Sequence, residues 1–379
     1  MSGIYLHIPF CKQACHYCDF HFSTVLKHQS NWVTALGREL ELRKNEFQNT
    51  AVSTIYFGGG TPSLLTIKEL EYILDQIKKQ YEVVPQPEIT LEANPDDLTA
   101  EKLKQYLHLG INRLSIGVQS FFDDDLTMMN RAHSASEALK GLQLATQYFD
   151  NISIDLIYGI PNMSAQKWLH NIQTAIHLGI PHISSYALTV EPKTMLHHLI
   201  QKAVLPPLND ELASEHFQIL VQELTQNGFI HYELSNFSKP NYFSQNNSAY
   251  WLGKKYLGFG PSAHSFDGTS RSWNVSNNNL YIKSLEQNKL PSEMEILTQN
   301  DLYNEYVMTG LRTIWGVDFL EVERRFGLQM VLYLQKQASK FIQNDVLVIE
   351  NNVLKTTHKG QFLCDGIASD LFIPNIHIK

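Results

Sequence analysis

Six short runs rich in β-branched and aromatic residues punctuate the first half of the chain: GIYLHI (3–8), VSTIYF (52–57), EITLEA (88–93), RLSIGV (113–118), NISIDLIY (151–158) and HISSYAL (182–188). Most are separated by segments of helical period, at 31–44, 66–79, 99–110 and 164–179. Strands that alternate with helices can share one sheet only by running parallel through right-handed crossovers. LHLG and IHLG close two of the helical segments, with Gly110 and Gly179 placed as left-handed caps before the next strand. Polar residues gather at the C-terminal ends of the strands: Gly58, Gly59, Gly60, Glu92, Gln119 and Asp155. An open doubly wound sheet is one way to arrange such units, but this bunching suits a barrel-like sheet with its site at the top. Six strands instead of the usual eight make the expected fold a partial (β/α)6 barrel of the α/β class, open along one side.

The pattern changes twice further on. A Pro- and Asn-rich stretch runs from about 190 to 265 and carries a helical segment at 209–227. From about 290 three helical segments follow, at 299–312, 318–325 and 328–343, and then DVLVIENN and VLKTTHKG read as a hairpin turning near Asn351-Asn352. The expected domains are therefore 1–190 (barrel), 191–289 (barrel extension and connection) and 290–379 (a winged-helix-like module). That module holds eight Lys and Arg against eleven Asp and Glu, and the whole chain of 379 residues carries a formal charge of −8. DNA-reading wings carry a cationic surplus, so nucleic acid is not an expected partner. No apolar run is long enough to span a membrane, and no basic segment leads into an apolar stretch and cleavage site at the N-terminus. Together with the cysteine usage below, this leads us to expect a cytoplasmic protein that is not an integral membrane protein.

Only four cysteines occur, and three of them, Cys11, Cys15 and Cys18, fall in the spacing C-x3-C-x2-C. Three thiols this close make no disulfide framework. A closed structural zinc site needs four ligands, and no second cysteine pair exists, although His16 and His21 could complete a Cys3His set. The favoured reading is an iron–sulfur cluster held by three thiolates, with one iron left open for a ligand.

The strand ends supply what such a ligand needs. Gly59-Gly60-Thr61 follow a strand, where missing side chains let backbone groups approach an amine or carboxylate. Glu92 precedes Asn94-Pro95, and Gln119 offers a donor and an acceptor. Arg131 is placed to pair with a carboxylate. Asp155 interrupts a run otherwise suited to burial, so it needs a hydrogen bond from a ligand or a cation.

YLHIPFC, FGGGTPS, LEANP, RLSIGVQSF, NRAH, SIDLIYGIP and GFGPSAHS occur in this order over nearly the whole chain. In this the sequence resembles the oxygen-independent coproporphyrinogen III oxidase-like branch of the radical S-adenosylmethionine (SAM) superfamily. The resemblance implies a [4Fe-4S] cluster on Cys11, Cys15 and Cys18, with the open iron chelated by the amino and carboxylate groups of SAM. It places Tyr5 near the cluster, and Gly59, Gly60, Thr61, Glu92, Gln119, Arg131 and Asp155 in the SAM pocket. True oxidases of this branch carry a further cysteine two positions after the third, where this chain has Phe20, and a longer arm before the first strand. Both departures point to the heme chaperone group. Membership there implies binding of heme and its delivery to a membrane-associated respiratory enzyme, with transient membrane association; the rival is porphyrinogen decarboxylation. That group shows H-N-x-x-Y-W where this chain has Asn246-Asn247-Ser248-Ala249-Tyr250-Trp251. Tyr250 and Trp251 could stack on a porphyrin. An amide is no substitute for imidazole as an iron ligand, which leaves His231 and His264 as the candidate axial ligands.

Overall fold

A computed structural model describes residues 2–47 and 50–374 of the chain. All six expected strands form: β1 (Ser2–Ile8), β2 (Val52–Gly59), β3 (Val83–Ala93), β4 (Arg113–Gln119), β5 (Ile152–Tyr158) and β6 (His182–Ala187). They pair in sequence order and in parallel. The crossovers are α1 (Gln29–Leu42), α2 (Ile67–Gln80), α3 (Ala100–His108), the pair α4 (Asp123–Met128) and α5 (Ala135–Ala145), and α6 (Ala165–His177). Helix α2 illustrates why these segments are helices. Thr66 and Glu69 form a reciprocal capping box at its start, and Leu70, Ile73, Leu74 and Ile77 bury one stripe against the sheet. Gly110 and Gly179 adopt φ of +89° and +71°, as expected of left-handed caps.

The sheet continues past both ends of this partial barrel. After α7 (Met195–Gln201) and α8 (Asp210–Gln226), strands β7 (Ile230–Glu233) and β8 (Asn236–Ser238) add antiparallel to the β6 edge. On the other side, beyond α9 (Gln245–Trp251), β9 (Tyr256–Phe259) pairs parallel with β1. It is followed outward by β10 (His264–Phe266), β11 (Ser270–Asn274) and, after α10 (Asn278–Glu286), β12 (Ser292–Ile296). A buried ion pair ties this extension to the barrel. Arg43 donates to Glu39 at 3.0 Å and to the Gly258 carbonyl at 2.7 Å. Glu39 in turn accepts from the Gly260 amide, Asn274 and Tyr281.

The C-terminal module has its own core, built around Tyr303, Val307, Val322, Leu334, Leu354 and Ile367. Its helices are α11 (Gln299–Leu311), α12 (Phe319–Phe326) and α13 (Leu328–Gln343). A small sheet follows, of β13 (Val317–Asp318), β14 (Leu347–Glu350) and β15 (Val353–Thr356), and then α14 (Cys364–Asp370), a helix not anticipated from the sequence. Asn351 and Asn352, at φ of +50° and +67°, form the left-handed turn between β14 and β15. The module joins the barrel by backbone pairing. The Leu234 amide donates to the Arg312 carbonyl at 2.9 Å and the Ile314 amide to the Tyr232 carbonyl at 3.0 Å. Residues 312–314 thus cover the edge that β7 would otherwise leave open.

Candidate functional site

The three cysteines lie on a loop that leaves the top of β1 and is fastened at every turn. Its ends are closed by the Cys11 amide on the Ser23 carbonyl and the Ser23 amide on the Pro9 carbonyl. His7, buried under the loop, donates from Nε2 to the His21 carbonyl at 2.8 Å. Lys12 pairs with Asp96 and Asp97, and Gln13 donates to Asn130, whose amide donates back to the Ala14 carbonyl. His16 Nδ1 donates to the Met128 carbonyl at 2.8 Å, and His21 Nε2 lies 2.7 Å from Asn278 Oδ1. These two histidines fasten the loop to its surroundings. Sequence reasoning missed the bracing roles of His7, His16 and His21, because their partners are 14 to 257 residues away.

Cys11, Cys15 and Cys18 all line one cavity of about 680 Å³ together with Gly59, Gly60, Thr61, Glu92, Gln119, Arg131 and Asp155. Among the described residues no three His, Cys, Asp or Glu side chains converge on a single ion position. Gly60 is compelled by space: a Cβ there would lie 2.6 Å from the Phe10 carbonyl oxygen and 2.8 Å from that of Ile8. The glycine run therefore lets β2 pass directly under the cysteine loop.

Glu92 accepts from the Tyr56 hydroxyl at 2.8 Å and the Gly59 amide at 3.2 Å. Burial, and next the neighbouring Asp155 carboxylate, push Glu92 up to about 8. Asp155 is itself pushed up to about 6 by burial, opposed by Arg113 and Arg131. Two desolvated acids facing one cavity form a site that a cationic ligand would stabilise by drawing both into the ionised form. Gln119 stands at a bulge in β4 with φ of +69°, a left-handed conformation that turns its side chain to the cavity wall.

Several residues are placed differently from expectation. Among the described residues Arg131 pairs with no carboxylate; it donates to Asn94 Oδ1 and the Gly117 carbonyl, both at 2.8 Å, and lies 3.3 Å from Cys15 Sγ. Tyr5 stacks on Tyr56 at 6.0 Å and, like Tyr250, lines a second cavity of about 230 Å³ that shares Glu92, Ser115, Asp155 and Tyr186 with the first. Trp251 lies beneath the Arg312 guanidinium at 5.2 Å. His231 packs flat on Phe237 at 4.0 Å, and His264 is exposed beside Trp273. No histidine lines the large cavity among the described residues, and neither Tyr250 nor Trp251 reaches its wall. The C-terminal module does reach it, through Arg312, Phe362 and Asp365.

A family model described as the radical SAM superfamily matches residues 5–175, and one described as the HemN C-terminal domain matches residues 297–363. A Bacillus subtilis (strain 168) protein named heme chaperone HemW is 33% identical over 367 residues, covering 96% of this chain and 97% of that protein. The chain belongs to the HemW family of the radical SAM superfamily. A HemW of Mycobacterium tuberculosis (strain ATCC 25618 / H37Rv) is 32% identical over 375 residues, 97% of this chain and 94% of its own. Among solved structures, the coproporphyrinogen III oxidase HemN of Escherichia coli matches with a TM-score of 0.85 at 22% identity, covering 98% of this chain and 90% of that one. At that identity the likeness shows the fold: this chain and HemN share the partial barrel and the C-terminal helical module.

Proposed function

We propose that this chain is a heme chaperone that holds a [4Fe-4S] cluster and SAM in the barrel, binds heme at the cavity mouth and delivers it to membrane-associated respiratory hemoproteins. The observation that carries the reading is the mixed lining of one cavity. Three thiols, two desolvated acids and a glycine turn share it with Phe20, Phe22, Phe217 and Phe362, the last supplied by the C-terminal module. Phe20 is 66% exposed at the position where the resembling oxidases carry a cysteine. An open apolar lip suits a large planar ligand that must leave again.

The donor set fits the implied cofactors. Cys11, Cys15 and Cys18 would hold the cluster; Glu92 and Asp155 would face the cationic groups of SAM, with Gln119 hydrogen-bonding its polar groups. When bound, such a pair supplies one-electron chemistry and a site-specific iron ligand. The chain's own part is to orient and enclose. Thr61 lies within hydrogen-bonding reach of Cys11, and Arg131 places positive charge beside Cys15. Tyr56 and the Gly59 amide fix the Glu92 carboxyl.

The test is a heme titration of the full chain with reconstituted cluster, followed by transfer to an apo-hemoprotein. A saturable Soret change at one heme per chain, and appearance of the acceptor's spectrum, are the expected results. Absence of both would end the chaperone reading. An anaerobic incubation with SAM, a reductant and coproporphyrinogen III is expected to yield no protoporphyrinogen; its formation would put the oxidase in its place.

A further inference from the structure

Three cations line the large cavity: Lys12, Arg131 and Arg312. The first two are engaged within the protein, Lys12 by Asp96 and Asp97, Arg131 by Asn94, the Gly117 carbonyl and Cys15. Arg312 differs. It follows α11 in the C-terminal module, and its Nη1 sits 2.5 Å from Asp365 Oδ1. That partner is 62% exposed, while the Arg312 side chain is only 23% exposed, so the acid half of the pair is well hydrated and its hold is weak. Arg312 Nε is buried with no hydrogen-bond partner. The guanidinium lies over the Trp251 ring at 5.2 Å, which fixes its plane. Phe362, packed on Phe217 at 5.5 Å, lines the same cavity. Among the described residues, this cavity thus holds a planar cation with an unpartnered Nε, an aromatic pair and no histidine.

We propose that Arg312 is the carboxylate anchor of this cavity. It receives a carboxylate substituent of a flat aromatic ligand, which displaces Asp365, while Trp251 keeps the guanidinium in position from behind. The inference rests on the heme reading above, because heme joins two propionate carboxylates to a flat apolar body. Asp365 is then a built-in competitor: it holds Arg312 when the cavity is empty and opposes the ligand's negative charge when it arrives. Trp251 acts as a positioning residue and makes no contact with the ligand. The anchor and its competitor both come from the C-terminal module, so the module supplies the recognition and the barrel supplies the cofactor wall.

The sign of two substitutions separates this from a plain ion pair tying α11 to α14. Heme and heme dimethyl ester are titrated by Soret absorbance into the full chain, Arg312→Gln, Arg312→Lys and Asp365→Asn. Arg312→Gln is expected to weaken heme binding roughly tenfold or more, the worth of a charge-assisted hydrogen bond, and to leave the ester unaffected. Arg312→Lys, a point charge without the planar fork, is expected to fall between. Asp365→Asn is expected to tighten heme binding several-fold. If Arg312→Gln and Asp365→Asn weaken binding together, or the ester responds as heme does, the pair is structural and the anchor is overturned. If the unaltered chain binds heme but does not distinguish it from the ester, the anchor fails while the heme reading stands. If it binds no heme, the heme reading itself falls and takes the anchor with it.

Discussion

Arg131 places Nη1 3.3 Å from the sulfur of Cys15 while its other terminal nitrogen is held by Asn94 and the Gly117 carbonyl. A permanent cation is thereby fixed against one thiol of the cysteine loop, by strand ends that belong to a different part of the sheet.

Replacing Arg131 with methionine removes that charge and a donor to sulfur. Cluster potentials rise with positive charge and hydrogen bonding at the sulfurs, so the reconstituted cluster of Arg131→Met is expected to be harder to reduce, and Arg131→Lys to recover part of the difference. Spectroelectrochemical titration reads both. An unchanged midpoint would reduce Arg131 to a brace.

The Glu39–Arg43 pair sets the stability of the sheet extension. Both side chains are buried, Glu39 completely, and breaking one partner leaves the other charge uncompensated. Arg43→Leu is expected to cost about 3–5 kcal/mol, seen as a lower midpoint in urea unfolding. Removing the surface pair Arg324–Glu321 serves as the control and is expected to leave the midpoint unchanged.

Acid should loosen the fold through buried histidines. Burial lowers His7 from 6.5 to about 4, and burial with the adjacent Arg131 does the same to His133. Between those values the unfolded chain binds protons that the folded chain refuses. The stabilisation is therefore complete above the ordinary histidine value and is lost as pH falls from 6.5 towards about 4. Each group costs on the order of 3 kcal/mol of stability at the acid end relative to neutral pH. Urea unfolding at a series of pH values is expected to show this slope, and His133→Gln to make it shallower.

The turn between β14 and β15 can be improved locally. Asn352 holds φ of +67°, which glycine adopts without steric cost and a β-branched residue does not. Asn352→Gly should raise the melting temperature of the chain slightly, whereas Asn352→Val should cost about 1–2 kcal/mol. Calorimetry distinguishes them.

The parallel strands were legible because each is a β-branched run with a capped helix to carry the chain back. Thr66-x-x-Glu69 marks the start of one expected helix, whereas α5, which opens on the same box at Ser134-x-x-Glu137, was not among the expected segments. Strands β10 to β12 escaped notice for the opposite reason. HSF, SRSWN and SEMEI are short and polar, and they are strands because an exposed sheet edge was there to pair with them. Trp251 was read as a stacking surface for a ligand, and its place beneath Arg312 depends on a residue 61 positions away in another core. Helix α14, which supplies Asp365, carries no strong apolar period and is defined by its packing in the module's core.

What the sequence determined by itself is local chemistry. Three thiols within one short loop, glycines after a strand and acids at strand ends are properties of spacing, and short-range sterics oblige them to lie where they do. Which groups share a cavity was decided only by the tertiary structure. Arg131 beside Cys15, the absence of any histidine from the described cavity wall, and Arg312 facing it from a separate module all depend on contacts between segments far apart in the chain. Those contacts follow from strand register and edge pairing, which depend on how buried surfaces match and leave little trace in any one stretch of residues.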